Sequence, residues 1–293
     1  MSVARQSIGA FVLLIQAIVL VLVQPVLSSF HYELQPRTDT SPYALRVMPL
    51  GASITAGRNS VDGNGYRQWL WDQLRDQGWD VDMVGSMHNG TMEDNDHEGH
   101  NGYRIDQLTR LLGKSSSIEK VFDLQPNVIL LNLGTNDVIQ EYQISTAGDR
   151  IDTLMTYLFD TVPGTTIILS TLLPCTIHPT LIDEINSQYR ALASRQRADG
   201  KRVILADMDR FIGVSQLGPD GIHPTYMGYK VMASVWFSAI ESAEQADMIP
   251  SPKVASYQAM TTPVPSVGAH IFRKLRWDFP LLAVVHLVVC GVA

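Results

Sequence analysis

Between Tyr43 and Ala243, short apolar runs alternate with longer stretches in which apolar residues recur three and four positions apart. The short runs predict strands at Leu45–Leu50, Val81–Gly85, Asn127–Gly134, Thr165–Leu173 and Arg202–Asp207. In Val128-Ile129-Leu130-Leu131 and Thr166-Ile167-Ile168-Leu169 the apolar residues are continuous rather than alternating, which is the pattern of a strand buried on both faces. The longer stretches predict helices at Tyr66–Gln77, Ile105–Leu112, Arg150–Phe159, Leu181–Gln196 and Tyr226–Ala243, with Gly78 and Gly200 placed to end two of them. Such alternation calls for parallel strands joined by crossover helices. The expected fold is a three-layer α/β/α sandwich around a central, mainly parallel five-stranded sheet, in one domain over residues 42–243.

The two ends depart from this pattern. A lone Arg5 precedes the apolar stretch Ile8–Val23, and Pro25-Val26-Leu27-Ser28-Ser29 follows it with small residues, so residues 1–29 read as a secretory signal peptide or an N-terminal anchor. Residues 244–276, with prolines and no sustained periodicity, read as a linker or tail. Residues 277–293 form a hydrophobic C-terminal segment behind the basic-aromatic patch Arg273-Lys274-Leu275-Arg276-Trp277. That segment is short for a membrane span and reads as a lipid-anchor signal, a disordered tail or an amphipathic surface segment. The ends thus predict an extracellular protein that membrane or wall attachment through these segments could retain at the surface.

Composition narrows the partners. A net charge of -7 without a long basic run disfavours nucleic acid, leaving neutral or cationic partners and an expected monomer. The two cysteines, Cys175 and Cys290, imply no disulfide framework. Asn89-Gly90-Thr91 is an N-glycosylation sequon, with Asn89 as the acceptor.

In an open parallel sheet, ligands bind beyond the carboxyl ends of the strands, and the segments expected there are polar. Ser53 follows the first strand in "PLGASITAG". Serine becomes a nucleophile only with a base to take its proton and a third group to orient that base, and His223 and Asp220 in "DGIHPT" are of the right types. The alternatives are a helix-capping hydroxyl at Ser53 and an N-cap arrangement of Asp220 and His223 before the last helix. Asn136 in "GTND" could direct its amide at an oxyanion or simply form a turn, with Asp137 capping the next segment. Gly102 in "GHNG" could let its N–H approach a substrate or be only a conformational requirement.

In order and spacing, "GASIT", "GHNG", "GTND" and "DGIHPT" together resemble the four motif blocks of the SGNH (GDSL-type) hydrolases, across roughly Arg46 to Ile240. "MPLGASIT", "VGS" and "DNDHEGHNGYRIDQ" look most like carbohydrate esterase family 3, whose members resemble acetyl xylan esterases. The resemblance implies a flavodoxin-like sheet, Ser53 as nucleophile and first oxyanion donor, Gly102 and Asn136 as further donors, His223 as base, Asp220 as its orienter, and no cofactor. The chain departs from the family where Ala52 replaces the usual aspartate, which points to a looser turn under Ser53 rather than to lost chemistry. The implied function is a secreted serine esterase acting on O-acetyl or other O-acyl esters of polysaccharide such as xylan. Alternatives are a lysophospholipase or generic short-chain carboxylesterase, and a weakly catalytic wall- or carbohydrate-binding protein.

Other residues invite assignments. Glu93 to His100 is rich in acidic residues and histidines, but its spacing does not fit a helical zinc motif. A calcium site on Asp94 and Asp96 is conceivable, and the favoured reading is a hydrogen-bonded loop with no metal. Trp69 shares the apolar helical spacing and reads as core, Trp71 as the better exposed ring, and His178 as a turn histidine on the same rim.

Overall fold

The computed structural model describes residues 45–113, 123 and 125–250. The segments 1–29 and 277–293 lie outside the described residues, as does the part of 244–276 beyond residue 250.

The strands are β1 (Leu45–Gly51), β2 (Val81–Met83), β3 (Met87–His88), β4 (Asp96–Gly99), β5 (Val128–Asn132), β6 (Thr166–Ser170) and β7 (Val203–Ala206). The helices are α1 (Arg67–Asp76), α2 (Ile105–Leu112), α3 (Thr135–Ile139), α4 (Ala147–Thr161), α5 (Pro179–Ala198) and α6 (Tyr226–Gln245). The five expected strands pair in parallel in the order β2-β1-β5-β6-β7. The sheet nevertheless has seven strands rather than five, because β4 runs parallel to the last two residues of β1 and β3 pairs antiparallel with β4. The mixed, mostly parallel sheet carries helices on both faces.

Alternate residues of each central strand feed opposite cores. Met48, Leu50, Ile129, Leu131, Ile167 and Leu169 join one cluster with Leu108, Leu154 and Ile185 of α2, α4 and α5. Leu45, Val47, Val128, Leu130 and Ile168 join the other, with Leu70 and Leu74 of α1 and Met232 and Trp236 of α6. Two cores, one on each side, explain why the strand sequences are continuously apolar. Each such side chain contributes about 1.5–3 kcal/mol relative to exposure.

Helix ends follow local chemistry. Gly78 and Gly200 stand at φ +86° and +77° just past α1 and α5, as their sequence positions predicted. At the start of α6, Thr225 is the N-cap: its Oγ1 accepts from the Gly228 N–H at 3.1 Å and donates to the Gln216 carbonyl at 3.0 Å. Thr225→Ala should therefore cost about 1 kcal/mol, or roughly 2–4 °C in Tm by thermal melting. An unchanged Tm would mean that water replaces the hydroxyl.

Candidate active site

β1 ends at Gly51 and the chain passes into successive turns from Ser53 to Asn59 rather than into a helix. Ser53 caps no helix. Its Oγ lies 2.8 Å from Nε2 of His223, 170 residues away, and Nδ1 of His223 lies 2.7 Å from Oδ2 of Asp220. Because a carboxylate only accepts, Nδ1 carries the ring proton and Nε2 presents a lone pair to the serine hydroxyl. His223 is buried, whereas Ser53 is half-buried and Asp220 more open.

The loop holding this pair is shaped by Asp220 itself. Its Oδ1 accepts from the Ile222 and His223 N–H groups, both at 3.0 Å, which folds residues 220–223 so that the ring and the carboxylate face each other. The Gly218 N–H donates to the His223 carbonyl at 2.7 Å and closes the loop. Since Thr225 caps α6, Asp220 and His223 are not its N-cap. Partial burial works to raise the Asp220 pKa, but hydrogen bonds from the His223 ring and from the His223 and Ile222 N–H groups outweigh it and pull the carboxyl down to about 2. Asp220 is therefore ionised across the working pH range of such a site.

Gly102 and Asn136 belong to one hydrogen-bonded assembly beside β1. The His100 N–H donates to the Gly51 carbonyl at 2.9 Å, and the Tyr103 N–H to the His100 carbonyl at 3.2 Å, so the turn containing Gly102 hangs from the end of β1. Gly102 adopts φ +79° with open space where a Cβ would stand, so conformation rather than crowding calls for glycine. Asn136, at the start of α3, donates from Nδ2 to the Tyr103 carbonyl at 2.9 Å, which fixes its amide plane against the same turn. An amide nitrogen has a second hydrogen, available to a ligand.

Asp137 caps neither a turn nor its own helix. Fully buried, it accepts from the Ile105 N–H at the start of α2 at 3.1 Å and from Arg150 of α4 at 2.5 Å. Burial raises its pKa, and the Arg150 guanidinium opposes that shift. The segment Glu93–His100 contains a strand where a loop was expected, and Asp94, Asp96 and Glu98 each bond to groups within the protein. Asp94 accepts from the Met83 N–H at 2.7 Å, Asp96 lies 2.6 Å from His88, and buried Glu98 holds Ser86 and His100, the latter at 2.6 Å. Among the described residues no group of His, Cys, Asp and Glu is arranged to hold a metal ion. Ala52 is buried in the core under Ser53, and its carbonyl accepts from the Ala56 N–H at 3.1 Å, a backbone bond within the turn.

Around this rim, the Thr176 N–H donates to the Gly221 carbonyl at 3.0 Å, and His178 begins α5 with Nε2 3.6 Å from Glu141. Trp69 and Trp71 are both half-buried. Trp69 meets Tyr226 edge-on at 5.4 Å with Lys230 above it, and Trp71 lies under Arg75 at 4.2 Å, so neither is the free ring or the pure core residue expected. Asn89 is half-buried in a largely exposed loop, its carbonyl accepting from Arg67 at 2.9 Å.

A model of the GDSL-like lipase/acylhydrolase family matches residues 50–231, more than half of the chain and the whole span from Ser53 to His223. The chain belongs to this GDSL-like family. That family groups lipases and acylhydrolases, enzymes of carboxylic ester chemistry. Over 230 residues it is 30% identical to a multidomain esterase of Ruminococcus flavefaciens; the alignment covers 70% of this chain and 30% of that relative's length. Among solved structures, the chain is similar to a Clostridium thermocellum family 3 carbohydrate esterase, at 25% identity and a TM-score of 0.61, covering 69% of this chain and 98% of that one. It also shares the fold of a family 3 carbohydrate esterase from Talaromyces cellulolyticus, at 24% identity and a TM-score of 0.59, covering 69% and 99% of the two chains.

The expected residues Ser53, His223 and Asp220 thus form one chain of contacts, and Asn136 is bonded to the turn that contains Gly102, which is itself bonded to the end of β1. Sequence reasoning missed Asn59, whose Nδ2 donates to Asp220 Oδ2 at 2.6 Å, and Arg67, a fully buried arginine. Arg67 donates to the carbonyls of Gly63, Asn89 and Asn95 and so joins the loop before α1 to the loop between β3 and β4. The signal for Arg67 was faint: a single arginine on the otherwise apolar face of a helix pattern.

Proposed function

We propose that this esterase removes short O-acyl groups, acetyl foremost, from polysaccharide such as xylan, through an acyl-enzyme on Ser53. The observation that carries the reading is the continuous chain of contacts from Ser53 Oγ through the His223 ring to the Asp220 carboxylate, at 2.8 and 2.7 Å. His223 Nε2 takes the hydroxyl proton as Oγ attacks the ester carbonyl, and Asp220 stabilises the imidazolium that forms. The carbonyl oxygen becomes an oxyanion facing the Ser53 and Gly102 N–H groups and the Asn136 amide. Collapse of this intermediate breaks the ester bond; the imidazolium gives its proton to the leaving sugar oxygen and the acyl group stays on Oγ. Water, deprotonated by the same imidazole, then attacks the acyl-enzyme, and Oγ leaves with the proton, releasing the carboxylic acid. No step calls on a cofactor.

Two features support a short acyl group on a polar carrier. The carbohydrate esterase family of the Clostridium structure names the substrate class of that protein. The rim segments carry Asn59, Asn136 and His178, polar groups suited to hydroxyl-bearing substrates. The Ile8–Val23 segment supports export, and the exposed loop around Asn89 supports glycan addition there.

The test is acetate release from acetylated xylan alongside hydrolysis of p-nitrophenyl acetate, butyrate and octanoate. The expected result is ready release from xylan and a steep fall in kcat/KM from acetate to octanoate. A rise toward octanoate with little xylan activity would favour a lysophospholipase or generic carboxylesterase. Xylan binding without turnover or fluorophosphonate labelling would favour a binding role.

A further inference from the structure

Asn59 lies six residues after Ser53, in the turn that leads away from the end of β1. It is one of few non-glycine residues with positive φ, at +66°, a region asparagine tolerates better than most side chains. Its backbone is held without help from its side chain. The Arg58 N–H donates to the Ser53 carbonyl at 3.0 Å, Tyr229 of α6 donates to the Arg58 carbonyl at 2.6 Å, and Ser60 Oγ donates to the Gly57 carbonyl at 2.7 Å. The side chain is thereby aimed across a sequence gap of 161 residues at Asp220, with Nδ2 2.6 Å from Oδ2. That oxygen also faces His223 Nδ1, while Oδ1 takes the two backbone N–H groups. All the ordinary acceptor directions of the carboxylate are therefore used.

We propose that Asn59 is a positioning residue: it locks the Asp220 carboxylate in the plane that meets His223 and takes a share of the Oδ2 charge that would otherwise act on the imidazole alone. The inference rests on the Ser53–His223–Asp220 reading above. It gives the residue two effects. One is geometric, since the turn that presents Ser53 and the loop that presents His223 are clamped to each other at Asp220, so the serine and its base keep their separation. The other is electrostatic. A donor on Oδ2 weakens that oxygen's pull on the proton at Nδ1. The titratable groups around the carboxylate are His223 at its side and Tyr229 of α6, a neutral phenol whose pKa burial raises.

The turn's backbone anchors make a clean test possible. Asn59→Gly keeps the positive φ at no steric cost and removes only the amide, whereas Asn59→Asp keeps the backbone preference and turns the donor into an acceptor facing Asp220. With p-nitrophenyl acetate, Asn59→Gly should lower kcat about five- to tenfold, discounted from a fully buried charged hydrogen bond because the contact is exposed. KM should stay within about twofold. The acid limb of kcat/KM should move to higher pH in Asn59→Gly and further in Asn59→Asp, which should also lose more activity. A merely structural role would lower Tm and activity together and leave the acid limb in place, and that result, like unchanged kcat, would overturn the proposal. Ser53→Ala is assayed beside them. If it is inactive, the Asn59 results bear on Asn59 alone; if it retains parental activity, the triad reading itself fails and the proposal goes with it.

Discussion

Replacing Ser53 by alanine is expected to lower kcat on p-nitrophenyl acetate by a factor on the order of 10⁵ to 10⁶, with the fold and KM little changed. The side chain removed is half-buried and small, and its one hydrogen-bond partner among the described residues is His223 Nε2, so little stability rides on it. Asp220→Asn should cost less, about 10³- to 10⁴-fold, for a reason the geometry makes specific. Oδ1 holds the Ile222 and His223 N–H groups, so the amide oxygen stays on that side to keep those bonds. The new NH₂ then takes the place of Oδ2 and faces Nδ1. That donor forces the ring proton onto Nε2, toward Ser53, and a ring protonated there cannot accept the serine's proton. The double variant should be no slower than Ser53→Ala, because groups that act as one unit are not additive. Steady-state kinetics with thermal melts as a folding control make the comparison. Ser53→Ala with more than about one-hundredth of the parental kcat would reject the serine mechanism, given the loss expected when a nucleophile is removed.

Ser53 and Asn136 could be placed on this rim from the sequence because each lies just after a strand whose apolar run is unmistakable. Val128–Leu131 and Thr166–Leu169 are continuous because each faces two cores, and that fixed the positions of Asn136 and of the loop before α5. β4 was not legible for the opposite reason. Asp96-His97-Glu98-Gly99 is a polar strand whose His97 and Glu98 are fully buried, and an apolar-pattern reading has no signature for a strand that turns polar side chains into the interior. α3 escaped because its five residues are too few to display a period. The dual hold on Asp220 could not be foreseen either: Asp220 and His223 are neighbours in sequence, but Asn59 reaches them only through the fold. Likewise Asp137 looked like a cap for its own following segment, whereas its partners Ile105 and Arg150 come from two other helices.

Acidification should destabilise the folded enzyme through His97, a residue outside the catalytic contacts. His97 is fully buried in β4, and its Nδ1 accepts from the Gly99 N–H at 2.9 Å, so the ring is neutral with its proton on Nε2. A second proton would have to enter at Nδ1, where an N–H already points. Burial first, then the nearby charges of Arg67, His100 and His88, bring its pKa down from 6.5 to about 3. Above pH 6.5 neither the folded nor the unfolded chain protonates this ring, and the full stability is present. Between 6.5 and 3 the unfolded chain binds a proton that the folded chain refuses, so stability falls as the pH drops. Asp94 opposes this in part: burial raises its pKa to about 6, so the folded state takes up a proton there before the unfolded chain does. His97→Asn separates the two contributions, since its Oδ1 can accept the Gly99 N–H and the side chain does not titrate. Urea unfolding at pH 7 and pH 4.5 should show the parent losing roughly 2–3 kcal/mol more than the variant over that interval. Equal losses would mean that His97 is protonated in the folded state. A ring NMR signal for His97 that does not titrate down to pH 4.5 in the parent would carry the same conclusion as the expected difference, even if the variant folded poorly.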